Sequence, residues 1–311
     1  MKREFQSAMA LSFQKEKAVK MFTTLNGRLL LKFPLRLGYC NSTRKASTFS
    51  SVSSSQTISR ISMVQGASRG LGLEFVKKLL ERNETEHVFA TCRSPHLSSG
   101  LSNLKQKFTD RLDILPLDLT NETTIQDSAE AVRKKHGILN LLINASGVLS
   151  IPNVMHPETS LNKLEKSSLM AAYEVNAVGP ILVTKHMWPL LRAGSLSGNV
   201  AVVANLSARV GSIEDNNLGG WHSYRASKAA LNQLSKTAAV EFGKKKNGVI
   251  CMVVHPGTVD TDLSKPFQRN VPKDKLFTKE FSVSKLLQII DGAKLSDNGK
   301  FFAWDGQQIP W

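Results

Sequence analysis

Ile61-Ser62-Met63-Val64-Gln65-Gly66-Ala67-Ser68-Arg69-Gly70-Leu71-Gly72 joins a short apolar run to a glycine-rich turn, and a helical pattern continues from Leu71 to Arg82. Glycines in such a turn permit a tight reversal, let the backbone approach a pyrophosphate and let helix pack on strand. The helix N-terminus that follows presents unpaired N–H groups to the phosphates. Downstream the alternation repeats. Apolar runs at His87–Thr91, Leu112–Leu117, Leu139–Ile143, Asn199–Val203, Gly248–Val254 and Lys300–Trp304 alternate with helical stretches near Leu101–Phe108, Thr123–Lys135, Leu169–Leu191, Ala229–Ala239 and Val283–Ile290. This alternation predicts an α/β fold, a doubly wound parallel sheet of about seven strands with helices on both faces, in a single domain. Such sheets hold ligands beyond the carboxyl ends of their strands, where the order of winding reverses.

Toward the N-terminus the composition changes. Residues 1–60 carry eleven Lys/Arg against two acids, Glu4 and Glu16, and so supply more than half of the formal net charge of +16. From Ala18 to Leu73 there is no acid, while Lys20, Arg28, Lys32, Arg36, Arg44, Lys45 and Arg60 stand in Leu- and Ser-rich sequence. That is the composition of organellar import sequences, so residues 1–58 are expected to be a disordered basic targeting segment and residues 59–311 the folded domain. The expected destination is a mitochondrion or a chloroplast, from a start at Met1 or Met21. A basic arm that stays attached to a cytoplasmic protein is the alternative. Elsewhere the excess charge lies on solvated faces such as Lys77-Lys78 and Lys244-Lys245-Lys246, with no zinc-finger spacing or basic zipper, and no nucleic-acid partner is expected. Cys40, Cys92 and Cys251 are too scattered for a disulfide framework or a metal site, and Cys92 and Cys251 are expected as buried thiols. No apolar run approaches the roughly 18 residues of a membrane span.

Tyr224-Arg225-Ala226-Ser227-Lys228 opens the helical run before Ala229, and four-residue spacing places Tyr224 and Lys228 on one helix face. A tyrosine hydroxyl titrates near about 10, and an ammonium close by favours the phenolate, so the pair reads as a general acid whose pKa the lysine lowers. An amphipathic helix with a half-buried tyrosine and a surface lysine is the plainer reading. Together Gly66-x-x-x-Gly70-x-Gly72 and Tyr224-x-x-x-Lys228 resemble the short-chain dehydrogenase/reductase family, from residue 61 to about residue 305. The resemblance implies a Rossmann-type domain and hydride transfer between a nicotinamide cofactor and a carbonyl. It implies that Gly66, Ser68, Arg69, Gly70, Leu71 and Gly72 cradle the cofactor, that Asp118 and Leu119 hold the adenine, and that Lys228 holds the ribose and Tyr224 protonates the carbonyl oxygen. Asn144-Ala145-Ser146-Gly147 stands where the family usually has Asn-Asn-Ala-Gly. Asn144, Ala145 and Gly147 then line the cofactor, but the turn lacks its second asparagine and needs another support. Asn176 matches the asparagine that helps hold a water of the proton relay. Pro256, Gly257, Val259 and Thr261 match the loop that grips the nicotinamide carboxamide.

Arg93, past the second strand, stands where NAD-preferring members carry an acid for the ribose hydroxyls. With Arg69 it suits a 2′-phosphate, which implies NADP(H) in preference to NAD(H). The run from Ser207 to Lys228 is similar to the C-factor and sniffer-type carbonyl reductases, implying a small-molecule aldehyde, ketone or quinone as substrate. The family's usual carbonyl-polarising serine falls at Ala208; Ser207 is the nearest hydroxyl, and Ser212 is a further candidate. Thr258 to Glu280 is the expected lid, with Phe267 in it, and Trp221 and His222 stand beside Tyr224. The resemblance further implies a homodimer or homotetramer paired through the helices bearing Asn176 and Tyr224, although monomeric carbonyl reductases exist, and no metal. A catalytically weak NADP(H)-binding sensor of the same fold is the alternative that Ala208 keeps open.

Overall fold

The structure is a computed structural model that describes residues 60–196, 200–244 and 248–311. The expected targeting segment, residues 1–58, lies outside them. The described strands are β1 (Arg60–Gln65), β2 (Glu86–Cys92), β3 (Leu112–Pro116), β4 (Leu141–Asn144), β5 (Ala201–Leu206), β6 (Val249–His255), β7 (Thr258–Val259), β8 (Leu276–Phe277) and β9 (Phe301–Ala303). Seven of them form one parallel sheet in the order β3-β2-β1-β4-β5-β6-β9, and β7 pairs with β8 alone. The α-helices are α1 (Gly70–Arg82), α2 (Ser99–Lys107), α3 (Glu122–Lys135), α4 (Lys166–Tyr173), α5 (Gly179–Leu196), α6 (His222–Lys244) and α7 (Lys279–Asp291). The expected doubly wound sheet is thus present, and winding reverses between β1 and β4.

Both faces of the sheet are covered, and for that reason its strands read as apolar runs rather than as alternations. Val64, Ala90, Ile143, Ala204 and Met252 point to one side, where they pack with Phe75 and Leu79 of α1 and Leu286 of α7. Met63, Phe89, Leu142, Val203 and Cys251 point to the other, against Ile125 of α3, Met187 of α5 and Phe242 of α6. Cys92 and Cys251 are buried free thiols, as expected.

Two departures from the sequence reading bear on the site. β5 runs on to Leu206, past the expected end at Val203, because the polar Asn205 finds partners inside the sheet: it accepts from Asn144 Nδ2 at 2.7 Å and donates to Ser235 at 2.8 Å. The single helix expected over Leu169–Leu191 is α4 and α5 joined by a π-turn, Glu174–Val178, in which the Gly179 N–H reaches back to the Glu174 carbonyl. Pro180 accounts for the widening: it has no N–H to offer the Asn176 carbonyl four residues earlier.

Candidate active site

At the carboxyl end of β1 the chain turns at Gly66 (φ 83°), whose N–H and that of Ala67 both donate to the Thr91 carbonyl of β2. A Cβ on Gly66 would lie 2.2 Å from Ser146 Oγ, and one on Gly72 would lie 2.1 Å from the Gly66 carbonyl oxygen. Gly70 (φ 58°) differs, with only Thr261 Cγ2 near it at 3.9 Å, so the turn is open on that side. α1 begins there with no side-chain cap and no acid in its first turn. Its free N–H groups and positive dipole end face this opening. Arg69 is exposed and pairs with Asp262, in the segment expected as a lid, at 3.3 Å, while Arg93, exposed at the end of β2, has no ion pair among the described residues. A closely packed glycine turn followed by an uncapped helix N-terminus fits the pyrophosphate of a dinucleotide.

The remaining expected cofactor residues fall along the same edge. Ser68 is fixed through its carbonyl, which accepts from Ser98 Oγ at 3.0 Å. Leu71 packs into the core, and Leu119 lies against Gly179 at the start of α5. The Asp118 carboxylate closes its own turn, accepting from Thr120 N at 3.0 Å and Thr120 Oγ1 at 2.9 Å. Asn144 points into the sheet rather than to the opening, bonding Asn205. The support that the missing asparagine required comes from Gln65 Nε2, which donates to Ser146 Oγ at 2.8 Å, while the Ala145 N–H donates to the Gln65 carbonyl at 2.9 Å. Pro256 accepts from Ser282 Oγ at 2.7 Å, and Gly257 (φ 79°) is roofed by Phe277 and Trp304. The Val259 carbonyl accepts from Thr261 Oγ1 at 3.4 Å.

Tyr224 and Lys228 share the buried face of α6, with the Lys228 Nζ 5.8 Å from the centre of the tyrosine ring and donating to the Leu206 carbonyl at 2.9 Å. Gly147 comes up against both Lys228 Nζ and Asn176 Oδ1, where a Cβ would sit 3.3 and 3.5 Å away. Asn176, carried by the π-turn, is fully engaged: its Oδ1 accepts from Val148 N at 2.8 Å, and its Nδ2 donates to the Val148 carbonyl at 2.8 Å and to Ser227 Oγ at 3.0 Å. Its side chain therefore locks loop to helix.

Burial governs the charge states. It lowers Lys228 to about 8. It also raises the Tyr224 hydroxyl above its ordinary value, against the expectation that the lysine would lower it. The ammonium sits beyond the ring and bonds a carbonyl, so desolvation outweighs attraction.

Ser207, placed by sequence as the candidate carbonyl polariser, is buried and donates to Asn232 Oδ1 of α6 at 2.7 Å. To meet a substrate it would have to leave that bond. Ser212 is also buried, and its hydroxyl accepts from Asp215 N at 3.1 Å. Ala208 lies between them at the start of a short 3-10 turn. His222 lines a hollow of about 370 Å³ with Val210, Arg225 and Ala229, on the side of α6 opposite Tyr224. His255, at the end of β6, is held down to about 4, chiefly by burial and then by Arg209, and its Nδ1 has no partner.

Two features escaped the sequence reading. Glu158, in the loop after β4, is buried and caps α6 from a distance: its carboxylate accepts from the Ser223 N–H at 3.2 Å and from the Ser223 hydroxyl, and its carbonyl accepts from Trp221 N at 2.6 Å. Trp221 precedes α6 in a left-handed conformation (φ 52°) after Gly219 (64°) and Gly220 (65°). The glycine pair in the sequence hinted at such a turn; nothing in it pointed to Glu158.

Comparison with known proteins agrees with this geometry. The family profile described as "short chain dehydrogenase" matches residues 60–272. An uncharacterized oxidoreductase of Schizosaccharomyces pombe is 30% identical over 260 residues, covering 80% of this chain and 96% of the relative. Among solved structures, an NADPH-bound carbonyl reductase from chicken fatty liver superimposes with a TM-score of 0.73 at 32% identity, covering 81% of this chain and 99% of that one. The carbonyl reductase Sniffer of D. melanogaster does so with a TM-score of 0.72 at 27% identity, with the same coverage.

Proposed function

The chain belongs to the short-chain dehydrogenase family, and on that premise we propose that it is an NADPH-dependent reductase of small-molecule aldehydes, ketones or quinones. The observation that carries this reading is the meeting of Tyr224, Lys228, Gly147 and the Asn176 turn at the same sheet edge as the open glycine turn. When bound, NADPH supplies the hydride for the carbonyl carbon. Tyr224, kept protonated by its burial, would give its proton to the carbonyl oxygen, and the product is the alcohol. Lys228, near 8, is mostly charged at neutral pH and would hold the ribose hydroxyls while a water at Asn176 returns a proton to Tyr224. Arg93 and Arg69 would bind the 2′-phosphate, with Arg69 giving up Asp262. Residues 1–58 would direct the protein to an organelle and leave residues 59–311 as the enzyme.

The test is NADPH oxidation by the full-length protein with a panel of quinones, aldehydes and ketones, beside NADH. Turnover that favours NADPH supports the reading. A second reading, a sensor that holds NADPH without efficient chemistry, draws on Ala208 and on the bond that ties Ser207 to Asn232. It predicts tight NADPH binding with no turnover on any member of the panel.

A further inference from the structure

Tyr224 stands in the first turn of α6, and one loop touches that helix on either side of it. After β4, Gly147 comes up against Lys228, where a Cβ would lie 3.3 Å from Nζ. Further along, the same loop returns to the start of the helix at Glu158. The Glu158 carboxylate accepts from the Ser223 N–H at 3.2 Å and from the Ser223 hydroxyl, and its carbonyl accepts from the Trp221 N–H at 2.6 Å. Glu158 is 3% exposed and Ser223 2%, so water has little access to replace a lost acceptor. Trp221 depends on the same hold. A bulky residue in the left-handed conformation (φ 52°) is strained, and the strain persists only where the surroundings fix it. The Arg225 N–H closes on the Trp221 carbonyl at 2.8 Å, so the turn that carries Tyr224 is wound on a residue that Glu158 pins.

The rest of the site is held by other contacts. Lys228 donates to the Leu206 carbonyl at 2.9 Å and packs on Gly211, where a Cβ would lie 2.7 Å from the Lys228 Cβ. Gly147 is followed by Val148, whose N–H and carbonyl both bond Asn176 at 2.8 Å. Loss of the Glu158 contacts therefore frees the turn around Tyr224 and leaves the lysine and the cofactor edge in place. Geometry matters most at that turn, since displacing a reacting group by about 1 Å can slow a step about a hundredfold.

We propose that Glu158 is a positioning residue for carbonyl reduction: through Ser223 and Trp221 it fixes where the Tyr224 hydroxyl stands, and so the rate at which the tyrosine gives its proton. The inference rests on the reductase reading above. Glu158 is not a catalytic group, since its carboxylate and its carbonyl are both engaged at the start of α6. Its removal acts on the chemical step and not on the binding of cofactor or substrate.

The test measures kcat, KM and NADPH binding for full-length parent, Glu158→Ala, Glu158→Gln and Ser223→Ala on the best carbonyl of the panel. Rates are expressed per NADPH-binding site, so that unfolded protein is not counted. Glu158→Ala lowers kcat roughly ten- to a hundredfold, while Kd for NADPH and KM for the carbonyl stay within about twofold. Its solvent isotope effect on kcat rises above that of the parent, because proton donation has become the slower step. A smaller folded fraction would not move that ratio. Glu158→Gln keeps the length and one acceptor, and restores kcat to within roughly two- to fivefold of the parent. Ser223→Ala removes only the hydroxyl contact, lowers kcat by roughly two- to fivefold, and reports even if Glu158→Ala fails to fold. Combined with Glu158→Gln it loses less than the product of the two single losses, because both act on one contact. A Glu158→Ala kcat within about twofold of the parent overturns the positioning role and leaves the reductase standing, as does an unchanged Ser223→Ala kcat where Glu158→Ala does not fold. A loss confined to KM or NADPH binding overturns it as well. A parent that turns over no carbonyl overturns both.

Discussion

Glu158 is the residue whose replacement tests the local physics most sharply. α6 has no acid in its own first turn, so the charge that complements its N-terminus comes from a loop 65 residues earlier in the chain. Glu158→Ala leaves two buried donors, the Ser223 N–H and hydroxyl, without an acceptor, and removes a carboxylate from the positive end of a 23-residue helix. An unsatisfied buried donor costs about 1–3 kcal/mol and the dipole contact adds about 0.5–1 kcal/mol, so a loss of about 3 kcal/mol is expected. For a domain of this size each kcal/mol moves Tm by about 2–4 °C, giving a fall of about 6–12 °C by calorimetry or circular dichroism. Glu158→Gln keeps an acceptor and loses only the charge, so it should fall by about a third as much. A drop of less than about 2 °C for Glu158→Ala, or equal drops for both variants, would refute the reasoning.

Other consequences can be measured on the same protein. Gly66→Ala meets both a positive φ and Ser146 Oγ at 2.2 Å, whereas Gly306→Ala meets a similar φ of 85° with nothing within 4 Å. Urea unfolding should show a cost of about 1–2 kcal/mol at Gly306, and an additional 1–3 kcal/mol, roughly, with loss of NADPH binding, at Gly66. Arg93→Ala should raise KM for NADPH about 10- to 100-fold and leave KM for NADH within about twofold, read from initial rates with each cofactor. Below pH 7 the His255 imidazole costs stability: its folded pKa near 4 lies below the ordinary 6.5, so the unfolded chain takes up the proton first and stability falls as pH drops from about 6.5 to 4. The loss approaches about 3 kcal/mol by pH 4. Urea midpoints of His255→Asn against pH should be flatter by that amount, with His87 and His136, also held low by burial, contributing equally to both proteins.

The parts of the site that the sequence made legible are local ones. The turn at Gly66–Gly72 and the face shared by Tyr224 and Lys228 depend on residues a few positions apart, where spacing alone settles direction. Seven strands were readable because both sheet faces are covered, which leaves their apolar runs unbroken. The π-turn at Asn176 was not read, although Pro180 held a signal for it, since a proline within a helix must cost a backbone bond. What spacing could not show was solvent. The tyrosine pKa was expected to fall because the lysine is near, and it rises because both groups are buried. Glu158, Asn232 and Gln65 were illegible for a related reason: each is a polar side chain whose role is fixed by a partner on another element. The fate of Ser207 follows from this as well, because only the fold brings Asn232 within 2.7 Å of it.

The central claim is that the Tyr224 hydroxyl donates the proton that accompanies hydride transfer, and Tyr224→Phe removes that oxygen alone. In full-length protein, NADPH binding followed by fluorescence should stay within about twofold while turnover on the best carbonyl of the panel falls at least about a hundredfold. A Tyr224→Phe protein that keeps half or more of the parent turnover would contradict the account.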